Sequence, residues 1–304
     1  MQLIHNILYD TIFHSTPIIL CVIGGIFAYK ANVLNIALEG MMLNGALIST
    51  LMMFFTGNLL LSIFVALITT LIYGIVFSYI GITLKGNVII VGLAINLIAS
   101  ALAGFILQIM QSANISLSNV DVAAYKWNIP FIKDIPLIGA ILSGHPTITY
   151  LSFAGIILAY IVMYKTRFGI YVRVVGENED AAKSLGLKTN FYKYAAVLIG
   201  ALCCALAGAN LAVERLALFT NDMTAGRGFI AIAAIYCGQG RPVLSSLYAI
   251  LFGIARALAV NLSIYAGPAA GLFDTIPYMI MVGVLAFVSY MKYKDVKLRG
   301  FKAE

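Results

Sequence analysis

The apolar positions of this chain run in uncharged or nearly uncharged blocks, broken by short polar stretches. A helix needs about 20 apolar residues to cross roughly 30 Å of hydrocarbon. Blocks of that size predict spans at 11–29, 34–56, 59–84, 87–110, 146–165, 193–213, 226–240, 243–265 and 275–291. The seventh is short and rich in glycine, the pattern of a broken or re-entrant helix. A further apolar piece, Ile135 to Gly144, is too short to span and is expected in or on a loop. The expected architecture is all-α, a polytopic membrane protein of about nine transmembrane helices (about eight to ten).

Composition excludes the soluble alternatives. Of 304 residues 62% are apolar and 10% charged, and the mean hydropathy is +0.99. A soluble domain carries roughly 25% charged residues. Twelve acidic and 19 basic groups are too few to coat a soluble particle, and the same numbers exclude disorder. Cys21, Cys203, Cys204 and Cys237 all sit in apolar runs, and His5, His14 and His145 are far apart in sequence, so neither a disulfide framework nor a metal site is implied.

The net charge of +7 reads as the cytoplasmic Lys and Arg that orient a membrane protein, rather than as a nucleic-acid surface. Lys165, Arg167, Arg173, Lys183, Lys188 and Lys193 crowd the loop between the fifth and sixth spans. Lys292, Lys294, Lys297, Arg299 and Lys302 crowd a basic C-terminal tail, 292–304. If both face the cytoplasm, an even number of spans separates them, and the expected spans supply four. Lys30, Lys85 and Arg241 then also fall inside. Lys126, Lys133, Arg215, Arg227 and the N-terminus fall outside.

Polar groups at membrane depth ask for a reason, because a charge there costs several kcal/mol. Asn35 and Glu39 are four apart, hence on one face of a helix, and Gly40 and Gly45 follow. In the second half, Thr224 to Gly228 opens the short seventh span, with Arg227 inside the motif. Arg256 falls in the middle of the eighth span and Asn96 in the fourth. Two glycine-interrupted segments, one in each half, are what a transporter of two related halves shows. The plainer alternatives are a structural Glu39–Arg256 ion pair and an interhelical hydrogen bond from Asn96.

The loop 166–192 between the fifth and sixth spans carries a predicted short helix from Glu177 to Ser184, with acidic residues early, Lys183 late and Gly186 as a stop. It reads either as a solvated connector or as a docking helix whose Ala181 and Ala182 are small enough to enter a groove on a partner.

Three stretches in order, ANVLNIALEGMMLNGALIS, RVVGENEDAAKSLGLK and FTNDMTAGRGFIAIAAIYCGQGRP, make the chain resemble the inner-membrane permease subunits of bacterial ABC importers for ribose-like sugars and nucleosides. The resemblance covers roughly 15–290, and the run from Met223 to Gly228 is most similar to the nucleoside branch that uses a basic-membrane-lipoprotein-type receptor. It implies that 1–304 is a single permease domain in a bacterial inner membrane. It further implies a coupling helix on Gly176, Glu177, Asn178, Ala181, Ala182 and Gly186, in contact with a separate ATPase subunit. A translocation pathway would pass near Asn35, Glu39, Asn96, Thr224, Arg227 and Arg256. The partners implied are two ATPase subunits, a second homologous permease in a heterodimer, an external or lipoprotein binding protein and the membrane lipid, with no cofactor and no nucleic acid. The chain lacks the Gly-x-x-x-x-Gly-Lys-Ser/Thr phosphate loop, so it is not expected to be an enzyme. Importing a simple sugar such as ribose or galactose, acting as an ion-coupled secondary transporter with Glu39 as the ion site, and serving as a membrane scaffold remain the alternatives.

Overall fold

The computed structural model describes residues 2–118, 121–127, 143–264 and 270–300. The helices are α1 Gln2–Lys30, α2 Leu38–Thr56, α3 Leu59–Ser78 and α4 Val88–Ile109. They continue with α5 Thr147–Lys165, α6 Arg167–Glu177, α7 Glu179–Ser184 and α8 Thr189–Ala209. The last four are α9 Arg227–Cys237, α10 Pro242–Ser263, α11 Ala270–Phe273 and α12 Ile276–Gly300. Wider π turns extend α3 through Tyr79–Thr83 and α8 through Asn210–Leu216.

Among the described residues eight helices are long and apolar enough to cross a membrane. They match the expected spans except the seventh, where α9 has only 11 residues. At 1.5 Å per residue it reaches about 16 Å, half of the hydrocarbon layer. The expected even count between the two basic segments therefore loses one full span. The non-helical stretch 217–226 followed by the half-helix α9 stands in its place. Lys30, Arg173 and Arg241 line one cavity, and Lys85, Lys183, Lys188 and Lys193 line another around the neighbouring Asn32 and Val33, so these cations share one end of the bundle. The apolar piece over 135–144 lies, except for Ser143 and Gly144, outside the described residues, as do Lys133 and residues 301–304.

α1, α2 and α8 form the interior, while α3, α4, α5 and α12 bury only a narrow stripe and turn apolar flanks outward. In lipid such packing draws on close van der Waals contact rather than on hydrophobic exclusion, so small residues mark the crossings. At the α2–α8 crossing, Gly208 lies so near the Met42 carbonyl and the Ala46 amide that no side-chain carbon fits between them. Within α1, the break that Pro17 makes in the amide ladder falls beside Thr11, Ser15 and Thr16. Their hydroxyls donate to the carbonyls of Ile7, Thr11 and Ile12 at 2.8, 2.6 and 2.7 Å.

At the end of the bundle opposite Lys30, Lys85, Arg173 and Arg241, two antiparallel pairings tie the connections down. β1 Asn114–Ser116, after α4, pairs with β4 Leu218–Thr220, after α8. β2 Lys126–Trp127 pairs with β3 His145–Pro146.

Gly208→Val is expected to destabilise the purified chain by about 1–3 kcal/mol, because α2 and α8 must separate. Gly104→Val, where an added carbon meets nothing within 4 Å, is the control and is expected to change thermal unfolding little.

Candidate functional site

Two helix starts meet inside the bundle. α1 ends at Lys30, and residues 31–37 run without helix before α2 begins at Leu38. Asn35 lies in this unwound piece and not on a helix, so it does not share a helical face with Glu39 as expected. Its side-chain oxygen accepts from the Ala37 amide at 3.0 Å, the local turn that lets the chain re-enter a helix. The first turn of α2 has no cap of its own. Asn96, from α4, supplies one: its oxygen accepts from the Gly40 amide at 2.7 Å, and its NH2 donates to the Ile36 carbonyl at 3.0 Å. The expected interhelical hydrogen bond of Asn96 is thus made to backbone on both sides.

The start of α9 is also uncapped locally. Gly226, with φ 72°, precedes it and offers no side chain. The first amides of a helix lack intrahelical acceptors, and the summed peptide dipoles leave about half a positive charge there. Glu39, in the first turn of α2, fills both needs. One carboxylate oxygen accepts from the Gly226 amide at 2.8 Å and the other from the Gly228 amide at 2.5 Å. Gly228 is required by this approach, since a Cβ there would stand 2.6 Å from the Glu39 Cα. Two charge-assisted bonds at about 1.5–3 kcal/mol each offset the roughly 3 kcal/mol cost of a carboxylate at membrane depth.

The surrounding groups complete the turn 221–226. Arg227, expected on the external side at the opening of the seventh span, is buried, and its Nη1 donates to the carbonyls of Met223 at 2.9 Å and Thr224 at 3.0 Å. Thr224 is buried beside it. Ser100 on α4 donates to Asp222 at 2.8 Å, and Tyr278 on α12 donates to the Ala225 carbonyl at 2.8 Å. Arg256 pairs with Asp274 at 3.1 Å and not with Glu39, so the ion pair weighed from the sequence does not form. Asn96, Glu39, Thr224 and Arg227 are therefore brought together directly around the two helix starts, with Asn35 on the unwound lead-in and Arg256 one layer away.

A second buried polar cluster escaped the sequence reading, which placed Arg215 in an external loop. Arg215 lies in the π-widened end of α8 and is buried. It donates to Asn210 at 3.0 Å, Thr16 at 3.1 Å and Thr149 at 2.7 Å, and stacks 4.3 Å from the Phe13 ring. Asn210 in turn donates to the buried Glu214 at 2.8 Å. The signal was Asn210, Glu214 and Arg215 inside an otherwise apolar run.

In the loop 166–192, the expected helix from Glu177 is instead split. α6 ends at Glu177, and Asn178 caps α7 by accepting from the Ala181 amide at 2.9 Å. Gly186 ends the element at φ 78°. Ala182 is buried within the chain, so only Ala181 of the alanine pair faces outward, accompanied by Leu185, which is 75% exposed. Ala182 turns inward because α7 has only six residues and one side must rest on the bundle. Glu179 anchors it there, pairing with Lys183 at 2.8 Å and with Lys193 at the start of α8. Hydrogen bonds from Lys183 and Lys193 hold the Glu179 carboxyl down to about 2. Gly176 packs its backbone on the Lys30 carbonyl, joining the loop to the unwound segment.

Glu39→Ala is expected to lower thermal stability by about 2–6 kcal/mol by orphaning two amides at roughly 1–3 kcal/mol each, and Glu39→Gln by less, since one acceptor survives. For Glu179, a carboxyl with its pKa depressed from 4.5 to about 2 stabilises fully above pH 4.5 and loses that contribution as pH falls toward 2. The melting difference between wild type and Glu179→Gln should therefore shrink progressively below pH 4.5.

The chain is 33% identical to the nucleoside ABC transporter permease protein NupC of Lactococcus lactis over 84% of its own length and 82% of the relative's. It is 31% identical to the guanosine ABC transporter permease protein NupQ of Bacillus subtilis over 97% and 95%. A putative glucose ABC transporter permease protein of Haloferax volcanii, TsgC13, is 27% identical over 98% and 95%. No solved structure matches the chain. Residues 7–285 match the family described as branched-chain amino acid transport system / permease component, and the chain belongs to that family of multi-pass membrane permeases.

Proposed function

We propose that this chain is the transmembrane subunit of an ATP-driven ABC importer whose cargo is a nucleoside. The observation that carries the reading is the near end-to-end likeness to two permeases named for nucleoside and guanosine transport, at higher identity than the glucose permease. Sugar import is the second reading, and TsgC13 is what favours it.

In this reading ATP is hydrolysed on a separate subunit that contacts 176–187 through the exposed Ala181 and Leu185, with Asn178 setting the angle of α7. Gly176, Glu177 and Gly186 shape the same loop. Motion imposed there reaches the Lys30 carbonyl through Gly176, then the unwound 31–37, then Glu39 and the start of α9. The basic end of the bundle faces the cytoplasm in keeping with the positive-inside rule, the N-terminus lies outside and the C-terminal tail inside. A second, related permease completes the pathway, along which Asn35, Glu39, Asn96, Thr224, Arg227 and Arg256 lie, and an external lipoprotein receptor delivers the cargo to the opposite end.

Reconstitution of the chain with its ATPase, partner permease and receptor tests this. ATP-dependent uptake of nucleosides in preference to ribose, galactose or glucose is expected. Uptake by the chain alone on an ion gradient would contradict the assignment. Ala181→Arg with Leu185→Arg is expected to lower uptake at least about tenfold, while melting stays within about 0.5 kcal/mol of wild type, as for exposed substitutions generally.

A further inference from the structure

At the basic end of the bundle, a cavity of about 590 Å³ opens where α1, α5 and α6 end and α10 starts. Its polar wall is Lys30, Arg173 and Arg241 with Asn32 and Glu177, set among Tyr29, Tyr164 and Tyr236. Beside it, sharing Tyr164 and Arg241, an apolar groove of about 630 Å³ runs up the outer flank between α5 and α10. Tyr160, Pro242, Val243, Leu244 and Leu247 form the groove, and Lys165 stands at its head. Val243 and Leu247 are exposed, so the groove opens toward surrounding hydrocarbon.

The charge in this place is unbalanced. Four cations, Lys30, Lys165, Arg173 and Arg241, face one carboxylate, Glu177. Among the described residues none of the four is in an ion pair. The Arg173 guanidinium lies 5.0 Å from the centre of the Tyr164 ring, which fixes its plane, and its buried Nε has no partner. A planar guanidinium presents paired donors that suit phosphate oxygens.

We infer that cavity and groove together form a binding site for one anionic phospholipid, its phosphate headgroup held by Arg173, Arg241, Lys30 and Lys165 and an acyl chain laid along Val243, Leu244 and Leu247. Charge complementarity selects an anion, and the continuous apolar groove selects one that carries a hydrocarbon tail. A soluble phosphate would satisfy the cavity and leave the groove empty. An acidic protein surface would meet the cations but has no reason to enter a lipid-facing groove. Basic pockets between transmembrane helices at the membrane surface bind acidic headgroups on the same physical grounds. The cavity borders Gly176 and the unwound 32–34, so the bound lipid would brace the segment that links the loop 166–192 to α2. The inference stands whatever the cargo of the permease.

Native mass spectrometry of the full chain, titrated separately with phosphatidylglycerol, phosphatidylcholine and inorganic phosphate, tests it. Phosphatidylglycerol is expected to be retained in preference to phosphatidylcholine. Arg173→Gln with Arg241→Gln should weaken that retention about 25-fold, about fivefold for each charge removed. Leu247→Trp, which fills the groove at an exposed position and leaves the cations in place, should also weaken it severalfold. Equal retention of the two lipids overturns the inference. So does phosphate binding that depends on the arginines while Leu247→Trp leaves lipid retention unchanged, which would mark a soluble-anion site. Unchanged phosphatidylglycerol retention in the arginine variant overturns it as well, and failure of that same variant to co-purify with the ATPase subunit would then mark the surface as a protein dock.

Discussion

A carboxylate between two helix starts organises this protein. Glu39 belongs to the first turn of α2 and accepts the first amides of α9, so one negative charge answers the positive ends of both helices. The alternative in lipid is severe, because each unsatisfied amide costs several kcal/mol where no water can replace the partner. A half-helix such as α9 is tolerable at membrane depth only if its buried end is satisfied by protein, and Glu39 is that protein group. Gly228 follows from the same constraint, since a side chain there would displace the carboxylate. Asn96 does for α2 what Glu39 does for α9, with a neutral amide where the needed groups are one donor and one acceptor.

The remaining polarity falls into zones set by what each end must do. One end gathers Lys and Arg around the terminus of α1, the loop 166–192 and the start of α10, and among the described residues Lys30, Arg173 and Arg241 are in no ion pair there. The other end is tied by short strand pairings and by Arg215, whose donors reach α1 and α5 as well as α8. Between them lies the Glu39 site, where Glu39, Asn96 and Arg227 all bond to backbone groups. Under the proposed function this division separates a surface that receives mechanical work from a braced opposite end, with the paired helix starts between them.

Much of the architecture was legible because the membrane imposes one simple requirement. Spans such as Leu59–Thr83 and Val88–Ile109 are long, apolar and bounded by polar residues, and the interruption at Gly226–Gly228 was visible as glycine within an apolar run. What the pattern did not disclose was the identity of partners. Glu39 and Arg256 invite pairing by charge, yet backbone amides outcompete a guanidinium because the helix ends need an acceptor and Arg256 has Asp274 nearby. Asn35 and Glu39 looked like neighbours on one helical face until the turn at Asn35 placed the start of α2 after it. Arg215 read as external because its charge was weighed alone, while Asn210, Thr16 and Thr149 come from three separate segments. In the loop, Asn178 is a stronger cap than a helix residue, so it divides α6 from α7, and the resulting six-residue helix buries Ala182.

The most direct measurement is the amide spectrum of the chain labelled with ¹⁵N-glycine in lipid nanodiscs. Gly226 and Gly228 are expected to resonate well downfield of the other glycines and to exchange slowly with solvent, as amides held by a carboxylate do. Ordinary shifts and fast exchange at both glycines would show the start of α9 to be open, and would contradict the role given to Glu39.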